Sequence, residues 1–256
     1  MLRMMKKRFY VIGTLLALFV CGSALATPKM VVDDTLFQFG YVPQNSKATH
    51  DFWIYSRGDA PLDILNVIPG CGCTKTPIEK THLAPGDSTR LEVIFDTRNY
   101  SGTVIKQPMI ATNEGVGNRY LHFEANVAIR PDSTYPVILS PYKLEFPTEP
   151  GKKVDGMKFT ITNVSDKPLD LSLVSWPRGM VTVDLPRSVG AKKSVQASVK
   201  LTEAAAGQNF EKCVTFQMSD EAKTRFTIPV TRVVQLPNMP TQSPAPAPAP
   251  KPTGTK

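Results

Sequence analysis

From Thr35 onward the chain is a succession of short apolar runs, several with strict period-two alternation. Leu36 to Val42, Thr49 to Ser56, Pro61 to Ile68, Ser88 to Thr97, Thr103 to Ala111 and Arg119 to Ile129 are the clearest. In the second run Phe52 and Ile54 point one way and Trp53 and Tyr55 the other. In the fourth, Leu91, Val93 and Phe95 oppose Arg90, Glu92 and Ile94. Side chains that change face at every residue make a strand with one side in a core. Gly, Pro, Asn and Asp break the runs at intervals of roughly ten residues, the texture of an all-β sandwich. Helical periodicity is confined to Glu203-Ala204-Ala205-Ala206, which Gly207 stops.

The strand pattern is written twice. Shifted by 107 residues, Phe39, Pro43, Phe52, Ile54, Pro61, Leu62, Asp63, Val67 and Gly72 fall on Phe146, Pro150, Phe159, Ile161, Pro168, Leu169, Asp170, Val174 and Gly179 without a gap. After a slip of one residue, Ser88 and Val93 match Ser194 and Val199. A period of this length is the size of an immunoglobulin-like sandwich rather than of a solenoid repeat. Two tandem immunoglobulin-like β-sandwiches are therefore expected, at 27–130 and 131–236, each long enough for its own core. The pattern predicts that Phe39/Phe146 and Phe52/Phe159 plug equivalent positions in the two cores.

The flanks read differently. Arg3, Lys6, Lys7 and Arg8 precede an apolar run from Phe9 to Gly22, and Ala24-Leu25-Ala26 offers small residues at a cleavage site. Residues 1–26 thus read as a cleavable signal peptide, too short for a comfortable membrane span. The rival is a lipoprotein signal using Cys21, preceded by the bulky Val20. Removing the leader's four basic residues takes a formal charge of +8 to +4. With the remaining Lys and Arg scattered, nucleic acid is not expected as a partner. The mature chain has no transmembrane segment, and the periplasm or the exterior is the expected location. Residues 237–256, with Ser243-Pro244-Ala245-Pro246-Ala247-Pro248-Ala249-Pro250-Lys251-Pro252, have little to bury. They read as a disordered Pro/Ala-rich tail that favours polyproline II, as a flexible end, a spacer or a ligand for a proline-binding partner.

Export changes the meaning of the cysteines. Cys21 leaves with the leader; Cys71, Cys73 and Cys213 remain, an odd number in an oxidising compartment. The concentrated chemistry is Gly70-Cys71-Gly72-Cys73-Thr74. At the repeat offset, Pro69-Gly70-Cys71-Gly72-Cys73 aligns with Trp176-Pro177-Arg178-Gly179-Met180, so the fold does not require the thiols at this corner. Four readings compete. A Cys71–Cys73 disulfide closes a small ring, Gly72 relaxing the backbone, and such a ring suits thiol exchange. Two thiolates can instead hold Cu(I), while zinc lacks further ligands. A disulfide from either cysteine to Cys213 or to another molecule is the third reading, and small buried filler residues the fourth. Cys213 falls on the face opposite Val214, Phe216 and Met218, where it reads as an outward, unpaired thiol out of reach of the other sandwich. His50, His82 and His122 read as surface residues, and no cofactor is implied. Asn163-Val164-Ser165 fits a glycosylation sequon.

Phe37-x-Phe39-Gly40, Phe52-x-Ile54, Pro61-Leu62-x-Ile64, Cys71-Gly72-Cys73-Thr74, Leu83-Ala84-Pro85-Gly86 and Val93-x-Phe95-Asp96-Thr97 together resemble the exported bacterial proteins of domain-of-unknown-function family 1573, over Val32 to about Val127. The resemblance implies an Ig-like fold of the major sperm protein and pilus-chaperone type and leaves activity open. Ser56 departs from the family's usual asparagine, which the second repeat supplies as Asn163. The sequence therefore leads to a non-enzymatic Ig-like protein that binds another protein or an envelope component, with a redox-sensitive Cys71/Cys73 loop. The rivals are a thiol–disulfide exchange factor with Cys71 as nucleophile and Cys73 as resolving thiol, a Cu(I)-binding protein, and a pilus-type chaperone.

Overall fold

The computed structural model describes residues 26–147 and 156–232. The leader with Cys21, Pro150 of the repeat and the Pro/Ala tail lie outside them. The described chain is all-β, interrupted by two single 3-10 turns, Pro131–Ser133 and Glu203–Ala205. The helical candidate at Glu203 is the second of these, with Thr202 Oγ1 accepting a bond from Ala205 N–H. No described helix is long and apolar enough to cross a membrane.

In the first sandwich one sheet runs Met30–Val32, Lys47–Ser56, Ser88–Asp96, Thr74–Lys75. Its long central strands pair antiparallel and bury Phe52 and Ile54 against Leu91, Val93 and Phe95. The opposite layer holds Leu36–Pro43 in parallel with His122–Ala128, and Leu62–Ile68 antiparallel to Met109–Thr112. The second sandwich repeats this scheme. Val137–Ser140, Met157–Asn163, Ser194–Leu201 and Val181–Asp184 make one sheet, and Leu144–Phe146 again lies parallel to Arg225–Arg232. Phe39, Phe52, Phe146 and Phe159 are all buried. One hydrophobic cluster draws on Met30 to Val127, the other on Ala128 to Val230.

Two expected strands are each broken in the fold. Thr103 to Ala111 divides into Gly102–Lys106, paired with His122–Ala128, and Met109–Thr112, paired with Leu62–Ile68. Pro108, which has no N–H for a ladder, sits at the crossing between sheets, where its carbonyl accepts from Leu121 N–H at 2.9 Å. Arg119 to Ile129 divides at the same Leu121, into Arg119–Tyr120 and His122–Ala128.

The two sandwiches share a sheet. Arg225–Arg232 meets Leu36–Pro43 at Tyr41 and Phe226, which makes an eight-stranded sheet across the joint. Gly40 makes this approach possible: it has φ +64°, and a Cβ there would stand 2.0 Å from the Arg225 carbonyl oxygen. Thr227 Oγ1 donates to Phe39 O at 2.7 Å, and Arg225 Nη1 to Gln38 O at 3.2 Å.

Candidate functional site

Cys71 and Cys73 are joined by a disulfide, with their Cα atoms 5.3 Å apart. The ring occupies the turn between Leu62–Ile68 and Thr74–Lys75. Gly70 and Gly72 are exposed, both cysteines half-buried, and Thr74 buried. Cys73 packs on the edge of the first core. The backbone bend is taken at Gly70, with φ +82°, while nothing lies within 4 Å of a Cβ placed on Gly72. The main chain is pinned by Thr74 N–H to Cys71 O at 3.3 Å and by Asp96 N–H to Cys73 O at 2.8 Å. Since disulfide sulfurs carry no proton, Thr74 Oγ1–H is the donor to Cys71 Sγ, 3.2 Å away; Cys73 Sγ is 3.7 Å away.

The second sandwich makes the same corner without sulfur chemistry. Met180 N–H bonds to Pro177 O at 3.1 Å and Thr202 N–H to Met180 O at 2.9 Å, the counterpart of the Asp96–Cys73 bond after the one-residue slip. The glycine role is not shared, however. Gly179 takes a φ of +82°, as Gly70 does and not as its aligned partner Gly72 does. The left-handed residue has moved within the turn.

Next to the disulfide, Tyr120, Met109 and Ile68 stand opposite one another in register across three strands. Tyr120 is 50% and Ile68 42% exposed. Alternation places this row on the face away from the core, so the corner carries an apolar flank open to solvent. The pair, being oxidised, offers no thiolate to a metal, and no group of three or more His, Cys, Asp or Glu is placed to hold one among the described residues.

Cys213 is free, but it is neither outward nor remote from the first sandwich. Its strand does turn Val214, Phe216 and Met218 into the second core. The opposite face is covered by the strand Lys47–Ser56 of the first sandwich. Cys213 Sγ–H donates to Lys47 O at 3.2 Å, and Thr49 N–H points to the sulfur at 3.4 Å. Burial pushes this thiol up to about 12, so it stays protonated and unreactive. Lys212 Nζ meets Glu92 at 2.5 Å beside it, and Lys47 pairs with Glu211.

The histidines divide. His82 is exposed and bonds Asp63 at 2.6 Å. His50 is not a surface residue: its ring stacks on Phe37 with centroids 3.5 Å apart, meets Phe52 edge-on, and reaches Ser175 Oγ of the second sandwich at 3.4 Å. Burial, and then the Arg225 guanidinium, lower its pKa to about 3. The sequon is a structural clamp: Asn163 is 1% exposed, and its amide donates to Lys167 O at 2.8 Å and Gly190 O at 3.1 Å.

Residues 30–127 match the family described as "Protein of unknown function (DUF1573)". Comparison with curated proteins gives no match. Similar solved structures include a protein of unknown function from Porphyromonas gingivalis, at 10% identity over 79% of this chain and 99% of that one, TM-score 0.35. WR4, a C. elegans MSP family member, is 17% identical over 38% of this chain and 98% of its own, TM-score 0.30. The CupB2 chaperone of Pseudomonas aeruginosa is 8% identical over 78% of this chain and 100% of its own, TM-score 0.27.

Proposed function

We propose, from the match of residues 30–127 to this family of unknown function and from the site's geometry, that the protein is an exported, non-enzymatic binding module whose Cys71–Cys73 ring responds to thiols on its partner. The observation that carries the reading is the corner built twice. Both turns are held by equivalent main-chain bonds, from Asp96 to Cys73 and from Thr202 to Met180. The disulfide is therefore surplus to the fold at that place, while its exposed glycines leave it open to attack. The apolar row Tyr120, Met109 and Ile68 gives a partner protein a surface beside it, and the strand Gly102–Lys106, at the end of the shared sheet, offers main-chain pairing. Export to an oxidising compartment, as the leader predicts, keeps the pair oxidised between encounters.

Thr74 supports the exchange variant of this reading. A partner thiolate attacks Cys71 Sγ, which forms a mixed disulfide and releases Cys73 as a thiolate. A second partner thiolate then attacks the partner's sulfur of that mixed disulfide, closing a disulfide on the partner and releasing Cys71 as a thiolate that the Thr74 hydroxyl, 3.2 Å away, stabilises. The pair gains two electrons and the partner loses two.

Equilibration in thiol redox buffers, followed by alkylation and mass spectrometry, tests the proposal. The native pair is expected to reduce well above the roughly −300 mV below which structural disulfides lie. Cys73→Ser is expected to accumulate mixed disulfides through Cys71. A pair that reduces only on unfolding, or a Cys73→Ser protein without adducts, overturns it.

A further inference from the structure

At the joint between the sandwiches lies a cleft of about 520 Å³, lined by Asp51, Trp53, Glu79, Arg90, Trp176 and Arg178 among others. The sequence has two tryptophans, and both are here, one from each sandwich. Trp53 is 45% exposed in the middle of a strand whose other face buries Phe52 and Ile54, so its indole serves neither core. The Arg178 guanidinium lies 4.3 Å from the centroid of the Trp176 ring. The other charges are paired: Arg90 bonds both Asp51 at 3.1 Å and Glu79 at 2.6 Å, which leaves one negative charge over among these three, and Lys212, also in the lining, meets Glu92. Two aromatic surfaces with a rim of paired charges suit an uncharged, stiff, ridged ligand. Proline-rich segments are such ligands, since their rings pack into aromatic-lined grooves and their backbone has little freedom to lose.

The sequence contains one. Pro244 to Pro250 alternates proline with alanine and carries no charge; Lys251 follows it, and residues 233–256 include no acidic side chain. The strand Arg225–Arg232 pairs Val230 with Lys212, which itself lines the cleft. The chain thus leaves the described fold two residues beyond a cleft wall. The ten residues 233–242 then span up to about 33–36 Å when extended, ample for the return. We propose that this cleft binds the chain's own Ala-Pro segment in cis, with proline rings against Trp53 and Trp176 and Lys251 toward the Glu79 carboxylate. A tether of this kind supplies an effective concentration on the order of 1 mM, so contacts of comparably weak affinity suffice. This inference stands apart from the thiol chemistry and survives its failure.

Because both tryptophans report on the cleft, fluorescence tests this directly. Deleting residues 237–256 is expected to red-shift the emission and steepen acrylamide quenching, with the unfolding transition retained. A peptide of residues 243–252 is expected to reverse both changes in the truncated protein, with a Kd on the order of 1 mM. The same peptide with alanine at every proline is expected to do nothing, and full-length Trp53→Ala is expected to lose the response of Trp176. The proposal falls if truncation leaves quenching unchanged, or if the proline-free peptide acts equally. It falls also if the protection fades on dilution, which would mean pairing between copies. Protection of full-length and truncated protein alike by a neutral oligosaccharide, without any peptide effect, would make the cleft a sugar site and overturn it too.

Discussion

The corner at 69–74 and the corner at 176–181 occupy the same place in two copies of one sandwich, yet they face different surroundings. The first is turned to solvent and holds a disulfide beside an apolar row. The second is turned to the joint, where Trp176 and Arg178 line the cleft and Val174 packs on the first core. In both, the polypeptide is fixed by main-chain bonds to the strand that follows. The side chains at the turn are thereby freed from fixing its backbone, though Cys73, Trp176 and Met180 still pack on the edges of their cores. The repeat supplies two corresponding turns, and the way the copies are joined makes them unequal, one left facing solvent with its disulfide and the other drawn into the joint.

The strongest test of equivalence lies in the cores beneath the corners. Phe52 and Phe159 are 2% and 1% exposed at matching positions of matching strands. Replacing either with alanine is expected to cost ~3–5 kcal/mol in urea unfolding, the range for a buried phenylalanine. A cost below about 1 kcal/mol at one site and not at the other would break the comparison at its base, because one copy would then carry its core elsewhere.

Beneath the strand ends the copies differ in a way that sharpens the comparison. Asn163 clamps two loops with its amide, and its Oδ1 accepts from Ser165 N–H at 2.9 Å and from Ser165 Oγ–H at 2.7 Å. Its counterpart Ser56 keeps the main-chain bond to the neighbouring loop, Ser56 N–H to Asp87 O at 2.9 Å, but its buried hydroxyl has no partner. Asn163→Ala is expected to cost about 2–3 kcal/mol, since it strands buried carbonyls and an N–H. Ser56→Asn, reaching the equivalent carbonyls, is expected to stabilise the first sandwich by about 1 kcal/mol. If Ser56→Asn destabilises, the two loop frames are not superimposable.

These cases show what was legible in the sequence and what was not. The repeat could be read because Phe39, Phe52, Ile54 and Leu62 recur at one spacing, and core positions tolerate little change. Alternation also gave the inward face of Phe210–Met218. It could not give the fate of the outward face, because a residue directed away from its own core looks the same whether water or another sandwich covers it. Cys213 was misread for that reason. His50 was misread for another: it shares the inward face of Phe52 and Ile54, and its polarity outweighed the alternation that placed it there. Gly40 stood in the family motif, but its meaning, contact with the Arg225 carbonyl, needed a residue 185 positions away. The Cys71–Cys73 ring was one of several pairings the spacing allowed. The tryptophan cleft had no sequence signal beyond Trp53 standing on the polar face of its strand.

The joint itself should be sensitive to acid. His50 sits between Phe37, Phe39 and Phe52 of the first sandwich and Ser175 and Arg225 of the second. Its pKa is lowered from 6.5 to about 3, so between these values the unfolded chain binds a proton that the folded chain refuses. Stability is therefore complete above about pH 6.5 and falls as the pH drops toward 3, by about 2 kcal/mol at pH 5. Unfolding of wild type and His50→Phe across that range checks it, the variant being expected to lose this slope. An unchanged slope would place the pH dependence outside the joint, and the second corner's setting would then not be the one described.

The smallest expected effect bears most directly on the difference between the corners. A disulfide stabilises chiefly by restricting the unfolded chain, and a ring closed over three residues restricts it little, by less than about 2 kcal/mol. The bonds that shape the turn, Thr74 N–H to Cys71 O and Asp96 N–H to Cys73 O, belong to the backbone and remain when the sulfurs are replaced. The double variant Cys71→Ser/Cys73→Ser is thus expected to unfold within about 2 kcal/mol of the oxidised protein, and the reduced wild type to fall between them. The second sandwich already displays a related outcome, a corner at the same place with Arg178 and Met180 in the cysteine positions and the same main-chain bond to the following strand. A loss above about 4 kcal/mol, beyond what so small a ring can contribute, would mean that the first corner depends on its disulfide for shape. The pair would then be a staple, and the reading of it as a point of thiol exchange would lose its footing.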